Sequence, residues 1–221
     1  MLAPVNLDER FEREIKLRMT QKDFLAWEQE DIQAEWVDGE VTIFMATTAR
    51  HQLILNFINV LLGLYARLYE LGQVMTAPYS MRAVPDGAVR EPDLLFIKKE
   101  NLGRMLDLFL DGPADLVVEI ISQDSVTRDR ADKFYEYQDA GILEYLIVDS
   151  RAGKGRIDYY TLDRNGLYQP IVADEQGRYH SHAVSGFWFR AEWFFQDEMP
   201  DPLKTLMEIA PEAVRKSIEE K

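Results

Sequence analysis

The sequence predicts an α/β fold, a mixed β-sheet with helices packed against it. Three observations carry this. Short runs of aliphatic and β-branched residues, EPDLLFI (91–97), DLVVEIIS (115–122) and EYLIVD (144–149), are bounded by turn residues and are too short for core helices. A long segment, TTARHQLILNFINVLLGLYARLYELG (47–72), places Leu53, Phe57, Val60, Leu61, Leu64 and Leu68 at helical spacing. Helical and strand-like segments interleave along the chain, which is the pattern of a sheet covered by helices.

In chain order, TQKDFLAWEQE (20–30) reads as a helix with Thr20 as N-cap and Asp23 at the third helical position. AEWVDGEVTIFM (34–45) is a hairpin around Asp38-Gly39. The long helix follows, capped by a threonine and closed at Gly72. QVMTAPYSMRAV (73–84) has strand character and ends at the turn Pro85-Asp86-Gly87. EPDLLFI is a strand with its proline near the start, and Asp111-Gly112-Pro113 turns the chain into DLVVEIIS. After the polar loop SQDSVT (122–127), RDRADKFYEYQDAG (128–141) forms a helix capped by Thr127 and closed near Gly141. EYLIVD is the next strand. Residues 155–190 alternate strands with turns at 163–166 and 175–177, and the tail 201–221 is a C-terminal helix. With no internal repeat and no Gly/Ser/Pro linker, residues 1–221 read as one domain.

Composition narrows the function. Apolar residues make up 47% of the chain, enough for a sizeable core. No apolar run reaches the roughly 18–20 residues of a membrane span. The N-terminal MLAPVNLDERFEREIKLR is charged and lacks an apolar signal core, so a cytoplasmic location is expected. The absence of cysteine excludes disulfides, zinc-thiolate centres and thiol nucleophiles. A formal charge of −14 weighs against broad phosphate contact, although a local basic patch is compatible with it.

Two apolar strands each carry one acid, Asp93 and Glu119. If the strands are neighbours, both carboxylates can point at one spot. Two converging carboxylates in a dry place require a proton or a cation. Mg²⁺ suits such a pair, since it takes one or two carboxylates and keeps waters for phosphate oxygens. The plainer alternative is that Asp93 caps a turn and Glu119 pairs with a basic side chain. On the next helix Asp129, Lys133 and Tyr137 share a face at i, i+4 spacing. Lys133 can reach the acids if that helix packs back onto the sheet, or can form only a surface pair with Asp129.

These residues carry a family resemblance. EWVDGEV (35–41), His51, the Pro92-Asp93 pair of EPDLLFI, GPADLVVEIIS (112–122), the series Asp129, Lys133, Tyr137, and AGILEYLIVD (140–149) stand in an order and spacing that resemble the Uma-type restriction endonuclease family of the PD-(D/E)XK nuclease superfamily. The resemblance spans about residues 20–165, leaving a β segment and a helix at 166–221. It implies a restriction-endonuclease-like mixed sheet flanked by helices, a divalent metal at the strand acids, and hydrolysis of DNA phosphodiesters. It assigns Asp93 and Glu119 as catalytic metal ligands for Mg²⁺, with Mn²⁺ as a substitute. The superfamily lysine two residues beyond the second acid is replaced by Ile121, and Lys133 stands in for it. Glu35 and His51 match further polar positions around the site.

The function expected is a Mg²⁺-dependent DNA endonuclease, the alternative being an inactive nuclease-fold binding or scaffold protein. A third reading is a hydrolase of smaller phosphate esters. DNA contact is expected from Arg128, Arg130, Arg151, Lys154 and Arg156. A homodimer is expected for double-strand cleavage, with the aromatic stretch at Phe187, Trp188, Phe189, Trp193, Phe194 and Phe195 divided between core and interface.

Overall fold

A computed structural model describes residues 14–27, 33–44, 48–121, 128–151 and 153–219. The segment 122–127, expected as a loop with Thr127 as a helix cap, lies outside the described residues. The strands are β1 (Glu14–Arg18), β2 (Ala34–Val37), β3 (Glu40–Phe44), β4 (Gly72–Thr76), β5 (Ser80–Arg82), β6 (Val89–Arg90), β7 (Leu94–Lys98), β8 (Phe109–Asp111), β9 (Leu116–Ile121), β10 (Glu144–Asp149), β11 (Arg156–Leu162), β12 (Tyr168–Pro170), β13 (Arg178–His180) and β14 (Trp188–Arg190). The helices are α1 (Gln21–Leu25), α2 (Ala49–Leu68), α3 (Lys133–Asp139), α4 (Pro202–Ile209) and α5 (Pro211–Glu219).

Local chemistry explains the elements. Thr20 caps α1, its hydroxyl oxygen accepting from the Asp23 N–H. Asp38 and Gly39 both take positive φ, 49° and 85°, as a two-residue hairpin turn between β2 and β3 requires. Thr48 caps α2 by accepting from the His51 N–H at 3.2 Å. The end of α2 differs from expectation. Glu70 adopts the left-handed conformation (φ 51°), the Leu71 N–H bonds the Ala66 carbonyl and the Glu70 N–H bonds the Arg67 carbonyl. That is a Schellman closure made by glutamate. Gly72 instead starts β4, where a Cβ would stand 2.0 Å from the Ile97 carbonyl oxygen.

Two six-stranded sheets form, in the orders β1-β3-β2-β6-β5-β8 and β12-β11-β10-β9-β7-β4, with β13-β14 as a separate hairpin. The segment 73–84, read as one strand region, divides at the cis Ala77-Pro78 bond and sends β4 and β5 to different sheets. β1 was not expected from the charged terminus; it joins the first sheet through β3. The tail forms two helices because Pro211 cannot continue α4.

The second sheet organises the core. Leu94, Phe96, Leu116, Val118, Ile120, Leu146 and Val148 face α2 and the C-terminal helices. The alternate residues Leu95, Ile97, Val117, Ile121, Tyr145 and Ile147 face α3 and the first sheet. Within the second sheet β9 runs parallel to β10 and antiparallel to β7. The β7–β9 register pairs Leu94 with Val118 and Leu95 with Val117. Continued by one residue, it sets Asp93 opposite Glu119. The expected neighbourhood of the two acid-bearing strands is therefore present.

Candidate active site

Glu119 is the one polar residue in β9, and all six residues of that strand are buried. Alternation along the strand turns it toward the α3 side, with Val117 and Ile121. α3 is preceded by a π-helical turn at Arg128–Asp132. Such turns recur at functional sites. The following α-turns carry Lys133 and Tyr137 onto Glu119. The Lys133 ammonium donates to Glu119 Oε1 at 2.7 Å and lies 2.8 Å from Glu35 Oε1 and 3.6 Å from Asp129 Oδ1. The Tyr137 hydroxyl donates to the same Glu119 oxygen at 3.0 Å. Lys133 is 2% exposed, so this is a buried network and not a surface pair.

Asp93 stands one residue before β7. Its Oδ2 accepts the Ile120 N–H at 2.6 Å and lies 3.1 Å from His51 Nε2. The carboxylate thus ties β9 to the first turn of α2. Glu35, on β2, brings the first sheet into the cluster. Its Oε2 accepts from Arg90 Nη1 at 2.9 Å, while its Oε1 faces Lys133. Five of the residues singled out in the sequence, Asp93, Glu119, Lys133, Glu35 and His51, meet in this buried region.

Sequence reasoning passed over Arg90 and Glu91. Arg90 is 6% exposed and links Glu35 to Glu136 on α3. Glu91 is 4% exposed; its Oε2 accepts the Ala34 N–H at 3.2 Å, and its Oε1 has no hydrogen-bond partner among the described residues. Their signal was available, since Arg90-Glu91 directly precedes Pro92-Asp93 in a segment otherwise heading into the core.

The cluster holds more negative than positive groups. Burial pushes the Glu119 carboxyl up to about 8, against the pull of Lys133 and with help from Asp129 and Asp93. Burial likewise raises Glu91 to about 8, reinforced by Glu35 and Asp93. Glu35 goes the other way: burial would raise it, but Lys133 and Arg90 together hold it down at about 2. Burial alone would lower the Lys133 ammonium, yet Glu119, Glu35 and Asp129 outweigh it and hold the group above its ordinary value, charged at neutral pH. Two carboxyls in this pocket thus retain protons unless another cation arrives.

Among the described residues no three His, Asp or Glu side chains converge as a ready metal cage. Mg²⁺ asks for less, one or two carboxylates with water and phosphate completing the shell. Asp93 and Glu119 are hard oxygen donors, and Glu91 Oε1 and His51 Nδ1, without partners among the described residues, mark polar capacity left unfilled in the same buried region. The donor set fits a hard divalent cation.

Of the expected basic residues, Arg128 lies near enough to Glu35 to help hold its carboxyl down, and the others gather at the end of β10. Arg130 reaches Asp149 at 3.1 Å and Asp158 at 3.0 Å, Arg151 bonds Asp149 at 2.8 Å, and Arg156 bonds Asp158. The Arg128 guanidinium lies 4.5 Å from the Phe44 ring centroid. Lys154 is exposed on the β10–β11 turn. Of the aromatic stretch, Phe187, Phe189, Trp193 and Phe194 are buried in the core, and Trp188 and Phe195 pack half-buried against it.

Two mixed sheets with flanking helices, and a pair of acids on adjacent strands beside a helical lysine, define a restriction-endonuclease-like fold. The fold is shared with a crystal structure titled as a "putative nuclease belonging to DUF820" from Anabaena variabilis ATCC 29413, at TM-score 0.64 and 12% identity, covering 80% of this chain and 97% of that one. Residues 21–192 match the family Uma2, described as "Putative restriction endonuclease", and the chain belongs to that family. The match continues past residue 165, where the sequence resemblance had stopped, to include the β13–β14 hairpin. No curated protein matches. No helix among the described residues is long and apolar enough to cross a membrane.

Proposed function

We propose that the protein is a Mg²⁺-dependent endonuclease that hydrolyses DNA phosphodiester bonds. The observation that carries this reading is the antiparallel β7–β9 pair, which sets Asp93 opposite Glu119, with Lys133 bonded to Glu119 from the next helix. Asp93 and Glu119 would hold the metal, with Glu35, Glu91 and His51 around it. A bound Mg²⁺ supplies Lewis-acid polarisation of the phosphate and a water of lowered pKa. The chain's own residues do the rest. Lys133 keeps Glu119 in place and brings a fixed positive charge to the site. The Ile120 N–H and His51 orient Asp93, and Tyr137 orients Glu119.

Arg130, Arg151, Lys154 and Arg156 are four cations against Asp149 and Asp158, leaving net positive charge at the end of β10 for a phosphate backbone. β10 is the parallel neighbour of β9, with Ile147 paired to Glu119, so this patch lies beyond the site along the same strands. A homodimer would present two such sites to the two strands of a duplex. Sedimentation at micromolar concentration tests that, and a monomeric mass would reject it.

The scaffold reading has a specific observation in its favour: Ile121 occupies the usual lysine position, and Glu35, Glu119 and Lys133 already satisfy one another. Plasmid nicking with Mg²⁺ or Mn²⁺ decides between the two. The endonuclease reading expects nicking by the wild type and its loss in Glu119→Gln and Glu119→Ala. No nicking by the wild type, together with no DNA binding at low salt in Ca²⁺, would reject the endonuclease reading.

A further inference from the structure

Arg90 occupies a position that the nuclease reading does not use. It lies on β6 in the first sheet, yet its guanidinium crosses to α3. Nη1 donates to Glu35 Oε2 at 2.9 Å. Nε and Nη2 fork onto Glu136, at 2.8 Å to Oε2 and 2.5 Å to Oε1. Glu136 is three residues beyond Lys133 on the same helix, and Glu35 presents its other oxygen to the Lys133 ammonium at 2.8 Å. The circuit Lys133–Glu35–Arg90–Glu136 therefore closes on α3. A planar fork can engage two carboxylates in fixed directions in a way that an ammonium cannot.

We propose that Arg90 is a positioning residue: by clasping Glu35 and Glu136 together it fixes where Lys133 stands against Glu119. Without the clasp, Glu35 loses the donor on its second oxygen and can swing, and α3 keeps only the Lys133–Glu35 contact to the first sheet where it had two. Lys133 then shares its three protons among Glu119, Glu35 and Asp129 without a fixed geometry. The effect reaches the chemistry through Lys133 and not through contact with substrate.

The structure also provides a way to test this that a merely structural role would not satisfy. Arg90 and Glu136 line an open cleft of about 260 Å³, walled by Met81, Val84, Ala88 and Ala140. The Arg90 side chain is 8% exposed and that of Glu136 36% exposed. A small guanidinium can therefore reach the space vacated in Arg90→Ala.

The experiment uses the full chain and two readouts. The first is the ¹⁵N–¹H signal of the Lys133 ammonium in the metal-free protein, which does not depend on activity. A buried ammonium bonded to two carboxylates, Glu119 at 2.7 Å and Glu35 at 2.8 Å, exchanges slowly and gives a resolved signal. Arg90→Ala should broaden or erase it, and millimolar methylguanidinium should restore it while methylammonium should not. The second is nicking with Mn²⁺, and it alone rests on the endonuclease reading. Arg90→Ala should lower kcat about 10–100-fold, the range seen when a residue behind a metal ligand is lost. KM for DNA should stay within about threefold, and methylguanidinium should recover kcat. Arg90→Lys should recover little. If Arg90→Ala does not fold, Glu136→Gln, which cuts the same clasp at its half-exposed end, should show the same broadening and the same kcat loss. An unchanged Lys133 signal in a folded Arg90 or Glu136 variant overturns the proposal, as does rescue by methylammonium. A wild type that shows the ammonium signal but never nicks rejects the endonuclease reading and leaves the clasp standing.

Discussion

Replacing Lys133 by methionine removes one charge and keeps most of the volume of the side chain. In the folded protein the ammonium meets Glu119, Glu35 and Asp129 at 2.7, 2.8 and 3.6 Å, at 2% exposure. Breaking a buried ion pair by deleting one partner costs about 3–5 kcal/mol, because the remaining charge is stranded in a poor dielectric. The Glu35 carboxyl sets the scale: against the opposing effect of burial, Lys133, Arg90 and Arg128 together hold it at about 2 from an ordinary 4.5, a net shift worth about 3 kcal/mol of stability at neutral pH, of which Lys133 supplies the largest share. In urea unfolding at pH 7 with chelator present, and with a slope of about 2–3 kcal/mol per molar, the midpoint should fall by about 1–2 M. The pH dependence has a definite sign. A carboxyl depressed in the folded state stabilises fully above its unfolded pKa and loses that contribution as pH falls through the folded value. The penalty of Lys133→Met should therefore be largest at pH 7 and shrink as pH falls below about 4.5 toward 2. Adding Glu35→Gln to the variant should recover part of the loss, since Glu35 carries the stranded charge. A penalty below about 1 kcal/mol at pH 7, or one that grows toward low pH, would refute the ion network as a source of stability.

The raised carboxyls make a prediction of opposite sign. Glu119 and Glu91, each pushed to about 8, hold protons in the folded protein that the unfolded chain has released, so metal-free stability should decline as pH rises from about 4.5 to 8. Saturating Mg²⁺ should flatten that decline; a melting temperature in chelator that is level or rising across this range would count against it. Gly72→Ala forces a Cβ to within 2.0 Å of the Ile97 carbonyl oxygen and should cost about 3 kcal/mol by calorimetry, as close backbone approach leaves no side chain to move aside. A cost under 1 kcal/mol would mean that the β4–β7 pair shifts freely. Replacing Arg151, Lys154 and Arg156 together with alanine should weaken binding to every DNA sequence alike and flatten its salt dependence, since fewer counterions are released. An unchanged salt slope would show that Asp149 and Asp158 already occupy these arginines.

Local chemistry made several elements legible in the sequence alone. Asp38-Gly39 specified its hairpin because few residue pairs tolerate two successive positive φ values. Thr20 and Thr48 marked helix starts because their oxygens satisfy N–H groups that the helix leaves open. The apolar runs 94–97 and 116–121 announced buried strands, and the single acid within the second already implied a compensating partner. Where the sequence misled, non-local contact prevailed. Glu70 ends α2 in place of Gly72 because Gly72 is needed where β4 passes close to Ile97, and β1 forms from a charged stretch because β3 offers it an edge. The candidate site divides along the same line. Spacing along the chain allowed Lys133 to reach Glu119, and the packing of α3 onto the second sheet decided it over a surface pair with Asp129. Glu35, Arg90 and His51 come from β2, β6 and α2, and no local pattern relates them to Glu119 and Lys133. Only the packing of the first sheet and of α2 around the second brings them together, and only there do burial and the nearby cations drive neighbouring carboxyls apart, Glu35 to about 2 and Glu91 and Glu119 to about 8. Residue type supplied the charges; the tertiary structure removed the water and thereby decided which of them survive.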